Sequence, residues 1–325
     1  MAAGLGTRLQ PFTVQTPKAL IPVMGVPSAQ FSLDLLRGTD IRTLVANVHH
    51  LSERAERGLH GLALPDPSAT LTISDETPLL LGSGGGIRAA LSHLGAAPFL
   101  VLNADVLCEV DIRGLIAFHH RMSHLYGAKI TLAVHPCSST GEAYREILFD
   151  PRSGLMTGLG EKSLYAPFFT GFSIMDPSAL EGLEVGKPRD FVRDVLLPAQ
   201  QRGQVAVFAD RGHFFDVGTP RLWWQTHLRL LDMLEMGHIP PPWRERIERN
   251  CVRVAPRVWR SKRTSGWIHR SEWHSPTFVD APALRGGSVF GPGAVIYSPE
   301  GRYARELVGP GICLGPDAVF GQEFE

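Results

Sequence analysis

Nothing in this sequence supplies a net electric field: 32 lysines and arginines meet 32 aspartates and glutamates, for a formal charge of zero. A chain so balanced has no broad basic face for nucleic acid or for an anionic membrane, so any anion it binds must be held locally. Cysteine is scarce as well. The four, Cys108, Cys137, Cys251 and Cys313, stand far apart, with no C-x-x-C pair and no spacing that makes a zinc site or a disulfide framework. Reduced thiols in a cytoplasmic protein are the expectation. No apolar run approaches the ~20 residues of a membrane-spanning helix. The opening residues Met1, Ala2, Ala3 and Gly4 also lack the basic start and apolar core of a secretion signal. With 44% hydrophobic and 20% charged residues over 325 positions, the chain is an ordinary globular protein, long enough for two domains that need neither disulfides nor metal to fold.

What the sequence does have is glycine and cations in one short stretch. Gly4 and Gly6 let the backbone turn sharply and bring its N–H groups against phosphate oxygens, and Thr7, Arg8 and Lys18 add hydrogen bonds and positive charge. From residue 28 to about 210, short apolar runs alternate with helical patterns, the signature of βαβ units and a mostly parallel sheet. Strands are expected at 43–48, 69–74, 99–103, 129–134, 145–149, 168–175 and 205–208, with helices at 28–36, 52–59 and 220–233. The run 99–103 leads to Asp105, and ligands of open α/β sheets bind at the carboxyl ends of strands. A second glycine cluster, Gly82, Gly84, Gly85 and Gly86, lies between a strand and a helix. The proline-rich 237–243 marks a break, placing the boundary near residue 236. Beyond it, 289–296 and 307–319 carry a loose six-residue rhythm of aliphatic, Gly-Pro and small residues, which resembles hexapeptide-repeat parallel β-helices.

The string Ala2-Ala3-Gly4-x-Gly6-Thr7-Arg8-Leu9-x-Pro11-x-Thr13, followed by Pro17-Lys18-Ala19-Leu20-x-Pro22-Val23-x-Gly25-x-Pro27, resembles the signature of the sugar-1-phosphate nucleotidyltransferases. Phe214-Phe215-Asp216-Val217-Gly218-Thr219-Pro220 is a second string similar to that family. The resemblance covers 1–236 and implies a Rossmann-like, GT-A-like α/β fold with a mixed, mostly parallel sheet and helices on both faces. It also implies that 237–325 form a linker and a short left-handed parallel β-helix, through which the protein could form homo-oligomers. Nucleotidyl transfer joins a sugar 1-phosphate to the α-phosphorus of a nucleoside triphosphate and expels pyrophosphate, so the site must gather negative charge.

In that scheme Asp105 and Asp216 hold Mg²⁺, and Arg8, Lys18 and Lys162 are the catalytic cations. Ala3, Gly4, Gly6, Thr7, Gly82, Gly84 and Gly85 surround the nucleotide, while Glu161, Asn103, Thr170 and Gly171 receive the sugar. The Gly84-Gly85-Gly86 form points to relatives that activate mannose-type or N-acetylmuramic-type sugars, hence GTP or UTP.

Two departures stand out. In this family the glycine loop follows a buried central strand, for which the residues ahead of Gly4 leave no room. A start codon assigned too far downstream is the favoured explanation, against a shortened chain or a protein that manages without the strand. At Tyr144-Arg145 the resemblance leads to Tyr-Gly, so Arg145 either occupies sugar space or marks a different sugar. A catalytically silent relative that binds a nucleotide sugar and regulates a partner is the alternative function, and a hexapeptide-type acyltransferase a third. His119, His120 and His124 are expected on a solvated helix face, and Trp223 and Trp224 between domains.

Overall fold

The computed structural model describes residues 1–266 without interruption and, beyond them, 272–273, 276–280, 283–284, 289–290, 294–297, 307–308, 313–314 and 319–320. The chain opens with a 3-10 turn at Thr7–Leu9, a single helical turn α1 (Phe12–Gln15), a 3-10 turn at Lys18–Leu20, and the two-residue strands β1 (Pro22–Val23) and β2 (Val26–Pro27). There follow α2 (Ser28–Leu35), β3 (Thr43–Val48), α3 (Ser52–His60), β4 (Thr70–Asp75), α4 (Gly82–Leu94), β5 (Phe99–Leu102), β6 (Val106–Cys108) and α5 (Ile112–Tyr126). Next come β7 (Ile130–His135), β8 (Tyr144–Phe149), β9 (Met156–Ser163), β10 (Phe168–Met175), α6 (Leu197–Gln201), β11 (Val205–Ala209) and β12 (Phe214–Asp216). Then follow α7 (Pro220–Met236), α8 (Pro241–Asn250), β13 (Cys251–Ala255) and β14 (Val258–Ser261). By internal contacts the chain forms two compact units: 1–5, 17–20 and 29–215 in one, and 6–16, 21–28 and 216–325 in the other. The helix α7, grouped from the sequence with the first domain, thus belongs to the second unit.

In the first unit the strands order as β11-β7-β10-β8-β9, with β5 also on β10. β11 and β7 are parallel, but β10 runs antiparallel to β5, β7 and β8, and β8 to β9. Reversal of β10 at the centre and of β9 beside β8 therefore makes most ladders of this sheet antiparallel rather than parallel as the strand–helix alternation implied, although β5, β7, β8 and β11 share one direction. Seven of the eight β10 residues are buried, which is why Phe168–Met175 reads as a nearly continuous apolar run rather than an alternation. One core gathers Ile130, Leu132, Val134, Ile147 and Met175 against Phe191 and Leu196, and another gathers Phe168, Phe172 and Ile174 against Leu115 and Phe214. The helix ends follow from local chemistry: the Asp111 carboxylate accepts from Gly114 N–H to cap α5, and Gly127 closes it in the left-handed conformation, φ +67°. His119, expected in water, is instead buried on the inner side of α5; its Nδ1 hydrogen-bonds the Thr131 hydroxyl at 2.9 Å, and burial pushes its pKa down to about 4. His120 and His124 are exposed, as expected.

β3 and β4 form a separate parallel pair. Between β3 and β5 lies an apolar cavity of about 520 Å³ lined by all of 43–46 and all of 99–102. Successive strand residues point to opposite faces, so consecutive lining residues mean that the cavity is bounded by the strand edges. Met1 and Ala2 close its end: the Met1 amino group donates to the Leu102 carbonyl at 2.6 Å, Ala104 N–H to the Met1 carbonyl at 3.1 Å, and Ala2 N–H to Asn47 Oδ1 at 2.8 Å. Burial there lowers the pKa of the Met1 amine to about 6, against the opposing pull of Asp105 and Glu76.

In the second unit Trp223 is fully buried, 4.9 Å from the Phe12 ring, with its indole N–H donating to the Pro22 carbonyl at 2.8 Å. The expected packing between domains is for Trp223 a packing within one unit. His227 is also buried: its Nε2 accepts from Met24 N–H at 3.0 Å and its Nδ1 donates to the Trp223 carbonyl at 2.9 Å, an arrangement that requires the neutral ring. Burial accordingly pushes its pKa down to about 4.

Beyond β14 the described strands are β15 (Ser265–Gly266), β16 (Glu272–Trp273), β17 (Thr277–Asp280), β18 (Ala283–Leu284), β19 (Val289–Phe290), β20 (Ala294–Tyr297), β21 (Leu307–Val308), β22 (Cys313–Leu314) and β23 (Val319–Phe320). β14, β17, β20 and β22 pair in parallel, their partners 17 to 19 residues apart: Val258 with Thr277, Thr277 with Ala294, Val295 with Cys313. Val279, Val295 and Ile296 are buried along this ladder. The Gly-Pro positions of the six-residue rhythm, 291–293 and 309–312, lie outside the described residues. Among the described residues no helix is long and apolar enough to cross a membrane.

The strand-edge cavity has a direct test. Five apolar residues attached ahead of Met1 should run along it between β3 and β5 and raise the thermal midpoint by roughly 5 °C or more. An unchanged midpoint in calorimetry would mean that the cavity does not accept a strand.

Candidate functional site

Lys18 and Asp105 meet although 87 positions separate them: Lys18 Nζ donates to Asp105 Oδ2. Pro17 opens the turn that carries Lys18, with Leu20 N–H donating to the Pro17 carbonyl at 2.8 Å. Asp105 stands between β5 and β6. The side chains are 13% and 28% exposed, so the pair is partly withdrawn from water while still open to a ligand. Ala19, Ala29, Ala55 and Ala104 pack around this junction, and their small side chains let the turn and the strand end approach.

Next to it, Asn103 lies over Gly171. Asn103 N–H donates to the Gly171 carbonyl at 3.2 Å, and a Cβ on residue 171 would lie 2.5 Å from Asn103 Nδ2. Gly171 also has φ +88° and sits in the irregularity of β10 between Phe169 and Ser173. Both the backbone and the neighbour require glycine there. Thr170 is buried and its hydroxyl donates to the Ala133 carbonyl at 2.9 Å.

Of the second glycine cluster, Gly84 and Gly85 are buried and both donate their N–H to the Arg189 carbonyl, at 2.9 and 3.2 Å. A Cβ would meet the Arg189 carbonyl oxygen at 2.8 Å on Gly82 and the Lys187 carbonyl oxygen at 2.5 Å on Gly85. Close packing against the chain's own backbone thus accounts for these glycines. Gly86 approaches a polar relay that the sequence did not reveal. Asn47 Nδ2 donates to Glu76 Oε1 at 2.6 Å, Glu76 Oε2 accepts from Leu81 N–H at 2.8 Å, and Asn47 Oδ1 holds Ala2 N–H. Glu76 is only 3% exposed, and a buried carboxylate between two elements could have been suspected from its place after an apolar strand.

Glu161 and Lys162 are exposed on β9, and Lys162 faces Arg145 of β8 across the ladder. In the second unit Gly6, φ +66°, turns the chain with its carbonyl accepting from Leu9 N–H at 2.9 Å and the Thr13 hydroxyl at 2.7 Å. A Cβ on Gly218 would lie 3.4 Å from the Arg8 guanidinium, and Gly218 N–H donates to Asp216 Oδ1 at 2.7 Å. Arg8 and Thr7 are exposed. Gly4 is exposed too, and nothing lies within 4 Å of where its Cβ would be. The chain itself does not require a glycine at position 4. Among the described residues no group of three or more His, Cys, Asp or Glu side chains is placed to hold a metal unaided.

A glycine turn with Arg8, a Pro-Lys turn on the carboxylate after β5, and an acidic residue before Val217-Gly218-Thr219 define a protein of the nucleotidyl-transfer class. A family profile described as Nucleotidyl transferase matches residues 1–233, and the chain belongs to that family. The chain is similar to the mannose-1-phosphate guanylyltransferase catalytic subunit beta of Drosophila pseudoobscura pseudoobscura, with 29% identity over 68% of this chain and 58% of that protein. It is also similar to the N-acetylmuramate alpha-1-phosphate uridylyltransferase of Neisseria meningitidis serogroup B, with 30% identity over 67% of this chain and 91% of that protein. The chain thus spans little more than half the length of the first relative and most of the second. HddC from Yersinia pseudotuberculosis, with a TM-score of 0.58 and 20% identity over 70% of this chain and 96% of that one, shares its fold.

The two glycines Gly171 and Gly4 should respond oppositely to a methyl group. Gly171→Ala should cost about 1–3 kcal/mol in urea denaturation, because it strains the backbone and displaces Asn103. Gly4→Ala should change stability by less than about 0.5 kcal/mol. Equal effects would contradict the packing described.

Proposed function

We propose that this chain joins GTP or UTP to a sugar 1-phosphate, giving a nucleoside diphosphate sugar and pyrophosphate. The observation that carries this reading is the Lys18–Asp105 pair: an ammonium for phosphate and a carboxylate for a cation, side by side at the carboxyl end of β5. A sugar phosphate oxygen attacks the α-phosphorus, and the bond to the β-phosphate breaks in line with it. Lys18 neutralises the reacting phosphate, and the forked donors of Arg8 take the departing pyrophosphate. Lys162 holds the sugar phosphate, while Asn103, Gly171 and Glu161 receive the sugar hydroxyls. Thr170, its hydroxyl committed to Ala133, shapes β10 beneath them. Backbone N–H groups around Ala3, Gly4, Gly6 and Thr7 cradle the triphosphate, and the turn at Gly82, braced through Gly84 and Gly85, borders the base.

Asp105 and Asp216 offer hard oxygen donors, and a set of two carboxylates suits Mg²⁺, which takes its remaining ligands from substrate phosphates and water. When bound, Mg²⁺ supplies charge neutralisation on the phosphate oxygens. The parallel ladders with partners 17 to 19 residues apart support reading the tail as a parallel β-helix of three hexapeptides per coil, a surface through which copies could associate. A cytoplasmic location accords with nucleoside triphosphate substrates.

The test is pyrophosphate release with Mg²⁺ across pairs of nucleoside triphosphates and sugar 1-phosphates. One pairing should respond. Lys162→Ala should raise KM for the sugar phosphate at least about tenfold more than for the nucleotide. Silence across all pairs from folded protein would overturn the reading.

A further inference from the structure

Arg8 is exposed, so the aim of its guanidinium is set by the turn that carries it. That turn is anchored from inside: Leu9 and Phe12 are fully buried, and the Thr13 hydroxyl donates to the Gly6 carbonyl at 2.7 Å. The Phe12 ring lies 4.9 Å from that of Trp223, Trp223 lies 4.2 Å from His227, and His227 lies 5.1 Å from Phe278 of β17. Four rings thus run from the glycine turn to the ladder of the tail, all within the second unit.

Trp223 holds this segment at two points. Its ring packs on Phe12, and its indole N–H donates to the Pro22 carbonyl at 2.8 Å, which fixes the orientation of the ring as well as its place. A Phe or a Leu would fill the space without a donor, whereas the indole ties residues 12 and 22 to one helix. The start of that helix is also the neighbour of Arg8. A Cβ on Gly218 would lie 3.4 Å from the Arg8 guanidinium, and Gly218 N–H donates to Asp216 Oδ1 at 2.7 Å. Thr219 then caps α7, its hydroxyl accepting from Leu222 N–H at 3.2 Å and its carbonyl from Trp223 N–H at 2.9 Å. The ring that anchors the glycine turn and the backbone beside the guanidinium therefore belong to the same helical turn.

We infer that Trp223 is a positioning residue for Arg8: through Phe12 and Pro22 it sets the glycine turn against the start of α7, so that the guanidinium meets the departing pyrophosphate. This rests on the nucleotidyl transfer proposed above and adds a residue to its machinery. Trp223 is fully buried and touches no substrate, so it acts through Arg8. Misplacement of a reacting or charge-stabilising group by about 1 Å costs up to about 10²-fold in rate, and a loosened glycine turn moves the origin of the longest side chain it carries.

Trp223→Phe keeps a ring against Phe12 and removes the bond to Pro22. The full chain, Trp223→Phe, Arg8→Ala and the double variant are compared in pyrophosphate release and in calorimetric binding of inorganic pyrophosphate with Mg²⁺, with urea denaturation to show that each is folded. Trp223→Phe should lower kcat and weaken pyrophosphate binding about tenfold each, with KM for the sugar phosphate within about twofold of the wild type. In the Arg8→Ala background the same change should cost less than about twofold. Phe12→Leu, which leaves the indole bond in place, should show the same dependence on Arg8 and carries the test if Trp223→Phe does not fold. Losses that multiply across positions 8 and 223, or a Trp223→Phe protein with wild-type rate and pyrophosphate affinity, would overturn the inference while leaving the transferase reading intact. Pyrophosphate binding needs no turnover and separates the failures. A binding loss that disappears without Arg8, in protein that releases no pyrophosphate from any substrate pair, would uphold the positioning and sink the transferase; wild-type protein that binds no pyrophosphate would overturn the inference as well.

Discussion

The partly buried pairing of Lys18 with Asp105 is the interaction on which the arrangement of the first unit turns. An ammonium at 13% exposure and a carboxylate at 28% each lose hydration, and each is tolerable because the other is there. Their contact fixes the turn after Pro17 to the end of β5, and the alanines at 19, 29, 55 and 104 fill the space beneath. Removing one partner would leave the other charge half-withdrawn from water, the costlier of the two ways to break such a pair. In the proposed reaction the two opposite charges balance one another until phosphate and cation arrive to divide them.

The reversed strand β10 is the second constraint. Because β10 pairs with β5, β7 and β8 together, it carries the position of Gly171 and Asn103 to the β8–β9 hairpin, where Lys162 and Arg145 stand. The groups proposed to meet the sugar are thereby attached to strands or strand ends rather than to free loops, and their spacing is set by ladder register. On the other side, Asn47 and Glu76 tie Ala2 to the start of α4, so the opening segment and the second glycine cluster are held by one buried relay.

Much of this was legible in the residues. The apolar runs placed β3, β5, β7, β8, β10 and β11 within a residue or two, and Thr219 with Pro220 announced the start of α7. The nearness of Lys18 to Asp105 was implied by the resemblance alone, since no local rule joins positions so far apart. The reversal of β10 could not be read, because a central strand is apolar on both faces whichever way it runs. His119 is misread from the sequence because it adjoins the i, i+4 pair His120 and His124, which does face solvent; only when α5 is packed does the helix turn the His119 ring inward onto Thr131. Gly84 and Gly85 suggested a ligand, whereas the Arg189 carbonyl, distant in sequence, already uses their N–H groups.

The central claim is that Lys18 and Asp105 act as one catalytic unit, and a double-mutant cycle measures this directly. Lys18→Ala, Asp105→Asn and the double variant would be compared by single-turnover pyrophosphate release, with urea denaturation to show that each is folded. If the pair works as a unit, each single change should cost about 10²-fold or more, and the double variant should be little worse than either. Independent losses that multiply in the double variant, or a single variant with full rate, would contradict the account.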